Sequence, residues 1–330
     1  MNHEPHASES ELYGVILAAG AGTRIRPLSL DVPKPLLPVC NKPVIGHQID
    51  YMKAVGIRKF RIVVGHMGRH IMEAFGNGRD QDIEIRYVIQ EKPLGIAHAV
   101  YQLEEELDGP MLMFLGDIFF VPKHLERMVH TFKQQNAAAI LAVKRESRSE
   151  MVRRNFSVTL GDTARVTKVV EKPRYIRDNL KGCGIYLFDL PVFDAIRRTP
   201  RTAMRDEYEI TTSIQILIDD GYPVYAEETV AWDMNVTVPE DLLYCNLVML
   251  AHSHRDSMIA EDARICSGAT IHNSVIGSGA IIEHPIEVNH SLIMAGSRVS
   301  GKYNIDWQII SPGNVIQCVP PDDMSFEVLS

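Results

Sequence analysis

The chain of 330 residues predicts an α/β domain built on a mixed, mainly parallel sheet, followed by a short left-handed parallel β-helix. Two patterns carry this expectation. Up to about residue 115, short apolar runs alternate with amphipathic stretches, the order that gives parallel strands joined by helices. From Ile259 onward, apolar residues recur at steps of six, six and five, so a 17-residue coil starts again at Ile276 and Ile293. A third observation says where a ligand belongs: the first apolar run leads directly into a stretch, 14–38, rich in glycine and cations.

Within that stretch, residues 15–19 read as a buried strand. It breaks at Gly20, Ala21 and Gly22 and meets Thr23, Arg24, Arg26 and Pro27, with Lys34 shortly after. Glycine lets a backbone turn sharply and come close to a ligand. Unpaired N–H groups in such a turn point at an anion, and a following helix start adds its dipole. With Arg24, Arg26 and Lys34 supplying charge, the stretch reads as a phosphate cradle. A dinucleotide fingerprint fails at Ile25, where a third glycine is required, and no P-loop string occurs.

The remaining elements follow in order. A helix is expected over 44–55, with Ile45, Ile49, Met52 and Val55 on one face and Gly56 as its stop. Strands are expected at 60–64, 83–89, 111–115 and 137–143, and helices at 71–75, 94–107 and 125–135. Residues 151–170 read as an antiparallel hairpin turning at Gly161-Asp162. A helix over 239–250 would open with a capping box of Thr237 and Glu240. Ligands of such sheets sit at the carboxyl ends of strands, here after Ala19, Gln90 and Leu115.

Composition narrows the function. Apolar residues make up 45% and charged residues 23%, with a net charge of −8, and no long basic block speaks for nucleic acid. Five scattered cysteines (40, 183, 245, 266 and 318) suit a reducing cytoplasm. No apolar run has membrane-spanning length, and the start lacks the regions of a signal peptide. Residues 1–12 read as a disordered tail, with His3 and His6 as tail residues; 13–254 as the catalytic domain; 255–330 as the β-helix. His272, His284 and His290 read as corner or interface residues of the coil. A short solenoid has open ends that need covering, so it is expected to dock on the catalytic domain or on another copy of itself, and a homo-oligomer is expected.

The string L-A-A-G-A-G-T-R-I-R-P, followed by P-K-P-L-L-P-V, resembles the signature of sugar-1-phosphate nucleotidylyltransferases. The resemblance implies a Rossmann-like domain that joins a nucleoside triphosphate to a sugar 1-phosphate and releases pyrophosphate. It implies that Ala18, Ala19, Gly20, Gly22, Thr23 and Arg24 hold the triphosphate and that Lys34 meets phosphate oxygens. The segment Q-x-x-P-L-G-x-A-H-A is similar to the base-recognition segment of thymidylyl- and uridylyltransferases, making Gln90, Pro93 and Gly95 nucleoside contacts. On chemistry alone the Gln90 amide suits a purine or a pyrimidine.

Asp117, in L-G-D, is a turn aspartate or a ligand for a hard cation on its own chemistry; the resemblance implies Mg²⁺. Glu171-Lys172-Pro173 matches the sugar-side signature, Glu171 for sugar hydroxyls and Lys172 for the sugar phosphate, with Gly182 lining the same pocket. Glu209-Ile210-Thr211 matches a family helix start, except that Thr212 replaces an aspartate. Where the family often has F-G-V or Y-G-V, this chain reads Phe156-Ser157-Val158, placing a side chain beside the sugar. For the second metal ligand the family reads W-x-D-x-G-T-P-E-D-L. Counting forward from Trp232 gives Met234, a poor Mg²⁺ ligand, and counting back from Pro239 gives Asn235. Asp233 is preferred for its charge, with Asn235 as the alternative. The expected pair is dTTP or UTP with glucose 1-phosphate. Alternatives are GTP with mannose 1-phosphate, a CTP-dependent relative, or a non-catalytic regulatory subunit that binds nucleotide sugars.

Overall fold

The computed structural model describes residues 11–161, 163–176, 178–203 and 206–320. The expected tail, with His3 and His6, lies outside the described residues apart from Glu11 and Leu12, and so does Asp162 of the expected hairpin turn. The sheet grows from β1 (Tyr13–Ala18), β2 (Lys59–Val64), β3 (Glu84–Ile89) and β4 (Met111–Leu115). Strand β1 is central because its run is apolar on both faces; β2 and β4 flank it in parallel, and β3 continues in parallel beyond β2.

The chain then adds β5 (Ile118–Pro122), β6 (Ala139–Arg145), β7 (Phe156–Leu160), β8 (Val166–Glu171), β9 (Leu180–Phe188), β10 (Val224–Glu227) and β11 (Val230–Asn235). The main sheet runs β8-β7-β9-β4-β1-β2-β3, and β6 joins β9 to β10. Strand β9 is antiparallel to β4, β6 and β7, and β7 is antiparallel to β8. The sheet is mixed, as expected, but its antiparallel half is as large as its parallel half, where the parallel part was expected to dominate. The β7–β8 link is too short for a crossover, which parallel neighbours require. Strands β5 and β11 form a separate antiparallel pair.

Helices α1 (Val44–Ala54), α2 (Gly68–Phe75) and α4 (Glu126–Gln135) cover one face through Ile45, Ile49, Met52, Ile71 and Met128. Helices α3 (Ile96–Tyr101), α6 (Pro191–Arg198) and α7 (Ile210–Asp219) cover the other through Val100, Phe193, Ile214 and Leu217. Two short differences from expectation have local causes. The helix expected over 94–107 stops at Tyr101 and continues as turns, with Leu103 N–H on Val100 O and Glu106 N–H on Leu103 O. Glu104, Glu105 and Glu106 would stand at a helix carboxyl end, where the dipole disfavours negative charge. Residues 151–154 belong to α5 (Ser149–Arg154), so only β7 and β8 form the hairpin.

Helix α8 (Pro239–His252) starts where expected, but its cap is Asp241: that carboxylate accepts the Thr237 and Val238 N–H groups at 2.7 and 2.8 Å. After it the chain winds into coils with three parallel sheets. Pairings join residues 17 apart, as in Met258 with Val275, Arg264 with Ile281 and Thr270 with Glu287. Ile276, Ile282, Val288, Ile293, Val299 and Ile305 fill the interior. Asn273, His290 and Trp307 form a corner column in left-handed backbone, and His290 stacks on Trp307 at 4.9 Å. The last strand, Asn314–Gln317, does not begin another coil but folds back antiparallel, pairing Ile316 with Ile309 after Gly313. Val275, Leu292 and Ile309 face outward and pack with Leu243, Leu247 and Leu250 of α8, so the coil seats on the α/β unit.

Candidate functional site

A cavity of about 710 Å³ opens at the carboxyl ends of β1 and β4, a size that suits a small-molecule ligand. One wall is the turn after β1. Ala18, Ala19, Gly20, Gly22, Thr23 and Arg24 line it, while Arg26 does not. Gly22 is left-handed (φ 59°), and its carbonyl accepts the Ser29 hydroxyl at 2.7 Å, which pins the turn. Arg24 is exposed to the cavity and meets no acidic side chain among the described residues. Lys34 reaches in from a short 3₁₀ turn, Lys34–Leu36, with its Nζ 3.0 Å from Asp117 Oδ2. Asp117 stands in the turn between β4 and β5.

A second wall comes from Gln90, Pro93 and Gly95. Gly95 has φ 106°, and a Cβ there would lie 2.6 Å from Tyr208 O, so no other residue fits. Glu171 and Lys172 line the same cavity, with Lys172 Nζ 3.9 Å from Glu171 Oε1. Lys172 has left-handed backbone (φ 43°), and its N–H bonds Asn155 O at 2.8 Å. Glu171 Oε2 accepts the Thr211 hydroxyl at 3.3 Å. Cations of the cradle and Lys172 thus border one space.

Two sequence expectations move. Gly182 does not line the cavity: its missing Cβ would sit 1.9 Å from the Phe156 ring, which covers it. Gly184 lines the cavity instead. Strand β9 is irregular between Gly182 and Tyr186, and Gly184 is left-handed (φ 70°), so simple alternation fails there. Likewise, Ser157 pairs with Lys181 within the sheet and is buried, while its neighbour Phe156 borders the cavity.

The other shift concerns Asp233. Its side chain is 3% exposed and held by Lys181 Nζ at 2.5 Å and Lys144 Nζ at 3.3 Å, away from the cavity lining. Asn235 lines the cavity. Both residues share a face of β11, but one pleat apart is roughly 7 Å along a strand, and the cavity ends between them. Asn235 donates its Nδ2 to Asn155 Oδ1 at 3.4 Å, which leaves Asn235 Oδ1 for the cavity. Among the described residues no group of three or more His, Cys, Asp or Glu is placed to hold a metal ion. A hard ion that keeps several waters needs only one or two protein oxygens, and the exposed Asp117 carboxylate with Asn235 Oδ1 fits that demand.

Arg154, Asn155, Glu207 and Glu209 also line the cavity. Only Glu209 had a signal in the sequence; Asn155 has none, since its partners lie in β11 and after β8. All five cysteines are free, and no helix among the described residues is long and apolar enough to cross a membrane.

The sequence model of the nucleotidyl transferase family matches residues 13–242. The chain is 32% identical over 263 residues to the low-salt glycan biosynthesis nucleotidyltransferase Agl11 of Haloferax volcanii, covering 79% of this chain and 71% of that one. It is 32% identical over 301 residues to a glucose-1-phosphate thymidylyltransferase of Streptomyces griseus, covering 88% and 80%. A Bacillus anthracis protein, solved with sucrose as a candidate glucose-1-phosphate thymidylyltransferase, superposes with a TM-score of 0.63 at 26% identity, over 71% of this chain and 94% of that one.

Proposed function

Because the chain belongs to the nucleotidyl transferase family and is a sugar-1-phosphate nucleotidylyltransferase, we propose that it couples dTTP or UTP to glucose 1-phosphate. The observation that carries this is that Arg24, Lys34 and Lys172 line one cavity. A second phosphate ionisation near pH 6 leaves the sugar phosphate dianionic at neutral pH, so its oxygen attacks the α-phosphorus with no general base. The bond from the α-phosphorus to the bridging oxygen breaks in line, and pyrophosphate leaves. No covalent enzyme intermediate is required.

Catalysis then rests on positioning and charge. Lys172 holds the attacking phosphate. Glu171 holds sugar hydroxyls, with Gly184 in place of Gly182 leaving room for the ring. The N–H groups from Gly20 to Arg24, with the Arg24 guanidinium and Lys34, take up charge on the departing pyrophosphate. Gln90, Pro93 and Gly95 receive the base and ribose. Asp117 and Asn235 would hold Mg²⁺, which bound there would offset phosphate charge.

In this reading residues 13–254 are the catalytic domain, and the coils that follow are left-handed and mediate assembly into a homo-oligomer. The free cysteines fit a reducing cytoplasm. Pyrophosphate release across four triphosphates and several sugar 1-phosphates tests the substrate pair. We expect release with dTTP or UTP and glucose 1-phosphate; a clear preference for GTP with mannose 1-phosphate, or for CTP, would replace it.

A further inference from the structure

Gln90 leaves the end of β3 with its N–H on Val64 O at 2.8 Å, and it is only 6% exposed. Its side-chain Nε2 lies 3.0 Å from His98 Nδ1. His98 sits on α3, three residues after Gly95, and its ring stacks on Tyr208 with centroids 6.2 Å apart and planes 22° apart. Tyr208 is tied to the same turn by two backbone bonds. Its N–H reaches Leu94 O at 2.7 Å, and its carbonyl accepts Ala97 N–H at 3.0 Å. The imidazole is therefore held by its helix and by the stack. Gln90 lines the cavity, whereas His98 does not.

Burial lowers the His98 pKa and favours the neutral ring, in which one nitrogen accepts and the other donates. Accepting at Nδ1 turns the Gln90 amide nitrogen away from the cavity. The other end of the amide, Oε1, meets no donor among the described residues.

We propose that His98 is a positioning residue for base selection: by accepting from Gln90 Nε2, it presents Gln90 Oε1 to the cavity as a fixed acceptor. An acceptor there pairs with a base whose ring nitrogen carries hydrogen, as N3 of uracil and thymine does. Cytosine carries a lone pair at that nitrogen, so two acceptors would meet with no hydrogen between them. A site that hydrogen-bonds one analogue rejects another that leaves its polar group unpaired. UTP against CTP isolates this contact. The inference rests on the cavity being the triphosphate site.

The test is equilibrium binding of UTP and CTP to the full chain without sugar phosphate, which reads the base site independently of turnover. His98→Phe keeps a ring for the Tyr208 stack and removes the acceptor. It is expected to shrink the UTP-to-CTP affinity ratio about tenfold, through weaker UTP binding, with kcat for the preferred pair within about twofold. His98→Asn, whose side-chain oxygen can accept in place of Nδ1, is expected to restore much of the ratio. An unchanged ratio in His98→Phe overturns the role of His98 while leaving the nucleotide site standing. Failure of the wild type to bind any triphosphate overturns both. Should His98→Phe not fold, imidazole ¹⁵N chemical shifts of the wild type decide: an unprotonated Nδ1 upholds the proposal, and a protonated Nδ1 refutes it.

Discussion

Replacing Lys181 by methionine probes both the architecture and the placement of the metal oxygens. Lys181 and Asp233 are 1% and 3% exposed, and their charged atoms lie 2.5 Å apart. Removing one partner of such a pair strands the other in a poorly solvated place and costs ~3–5 kcal/mol. Asp233 keeps Lys144 at 3.3 Å, so the lower end applies, about 3 kcal/mol. That is a large share of a typical total of ~5–15 kcal/mol. Urea unfolding, with a check that the slope is unchanged, measures it. The double variant Lys181→Met/Asp233→Leu removes both charges and leaves Lys144 beside Glu146, 3.9 Å away. It should return to within ~1 kcal/mol of the wild type, far short of the sum of the two single losses. Because Asn235 and Asp117, and not Asp233, line the cavity, the double variant should also keep magnesium-dependent pyrophosphate release. A single variant costing under ~1 kcal/mol, or a double variant that loses the sum of two large single effects, would refute the buried-pair argument. Loss of turnover in a stable double variant would return the metal to Asp233.

Three further outcomes are expected. Arg24→Ala and Lys34→Ala should each lower turnover about 10²–10³-fold, as loss of a preorganised charge contact does; urea melts of both should stay within ~1 kcal/mol, since Arg24 is exposed and, among the described residues, the ion-pair partner of Lys34 is Asp117, which is half-exposed and stays solvated when the lysine is removed. Gly95→Ala must strain a backbone at φ 106° and displace Tyr208, so it should cost ~1–3 kcal/mol and raise KM for the triphosphate more than for the sugar phosphate. Burial holds the His47 pKa below its ordinary 6.5, while a ring N–H donates to Val39 O. The neutral ring is the one the fold favours, so its stabilisation is complete above pH 6.5 and is lost as pH falls through and below that value. His47→Gln should therefore flatten the fall in melting temperature between neutral pH and mildly acid pH.

The parts of this molecule that were legible in its sequence are those encoded by neighbours along the chain. The cradle reads directly because strand, glycines and cations follow one another from Val15 to Lys34, and the coil reads because its 17-residue pairing repeats. What escaped depends on partners far away. Asp233 reads as a ligand from its charge, and Lys181, 52 residues earlier, holds it away from the cavity lining. Asn155 gave no signal because its role comes from Asn235 and from the Lys172 backbone. Gly182 and Gly184 differ because β9 breaks its own alternation between them and Tyr186, and the antiparallel half of the sheet was legible only at the 151–170 hairpin, where a short turn gives it away, because alternation along a strand such as Phe156–Leu160 does not encode its direction.

The central claim is that two anions meet in the cavity between the turn after β1 and Lys172. The most direct measurement is electron density from crystals holding magnesium, glucose 1-phosphate and a triphosphate analogue that cannot be cleaved between its α- and β-phosphorus. The triphosphate is expected along Gly20 to Arg24, the sugar phosphate on Lys172, and its oxygen in line with the α-phosphorus. Both ligands bound elsewhere, or a sugar phosphate on the far side of Glu171 from the triphosphate, would contradict it.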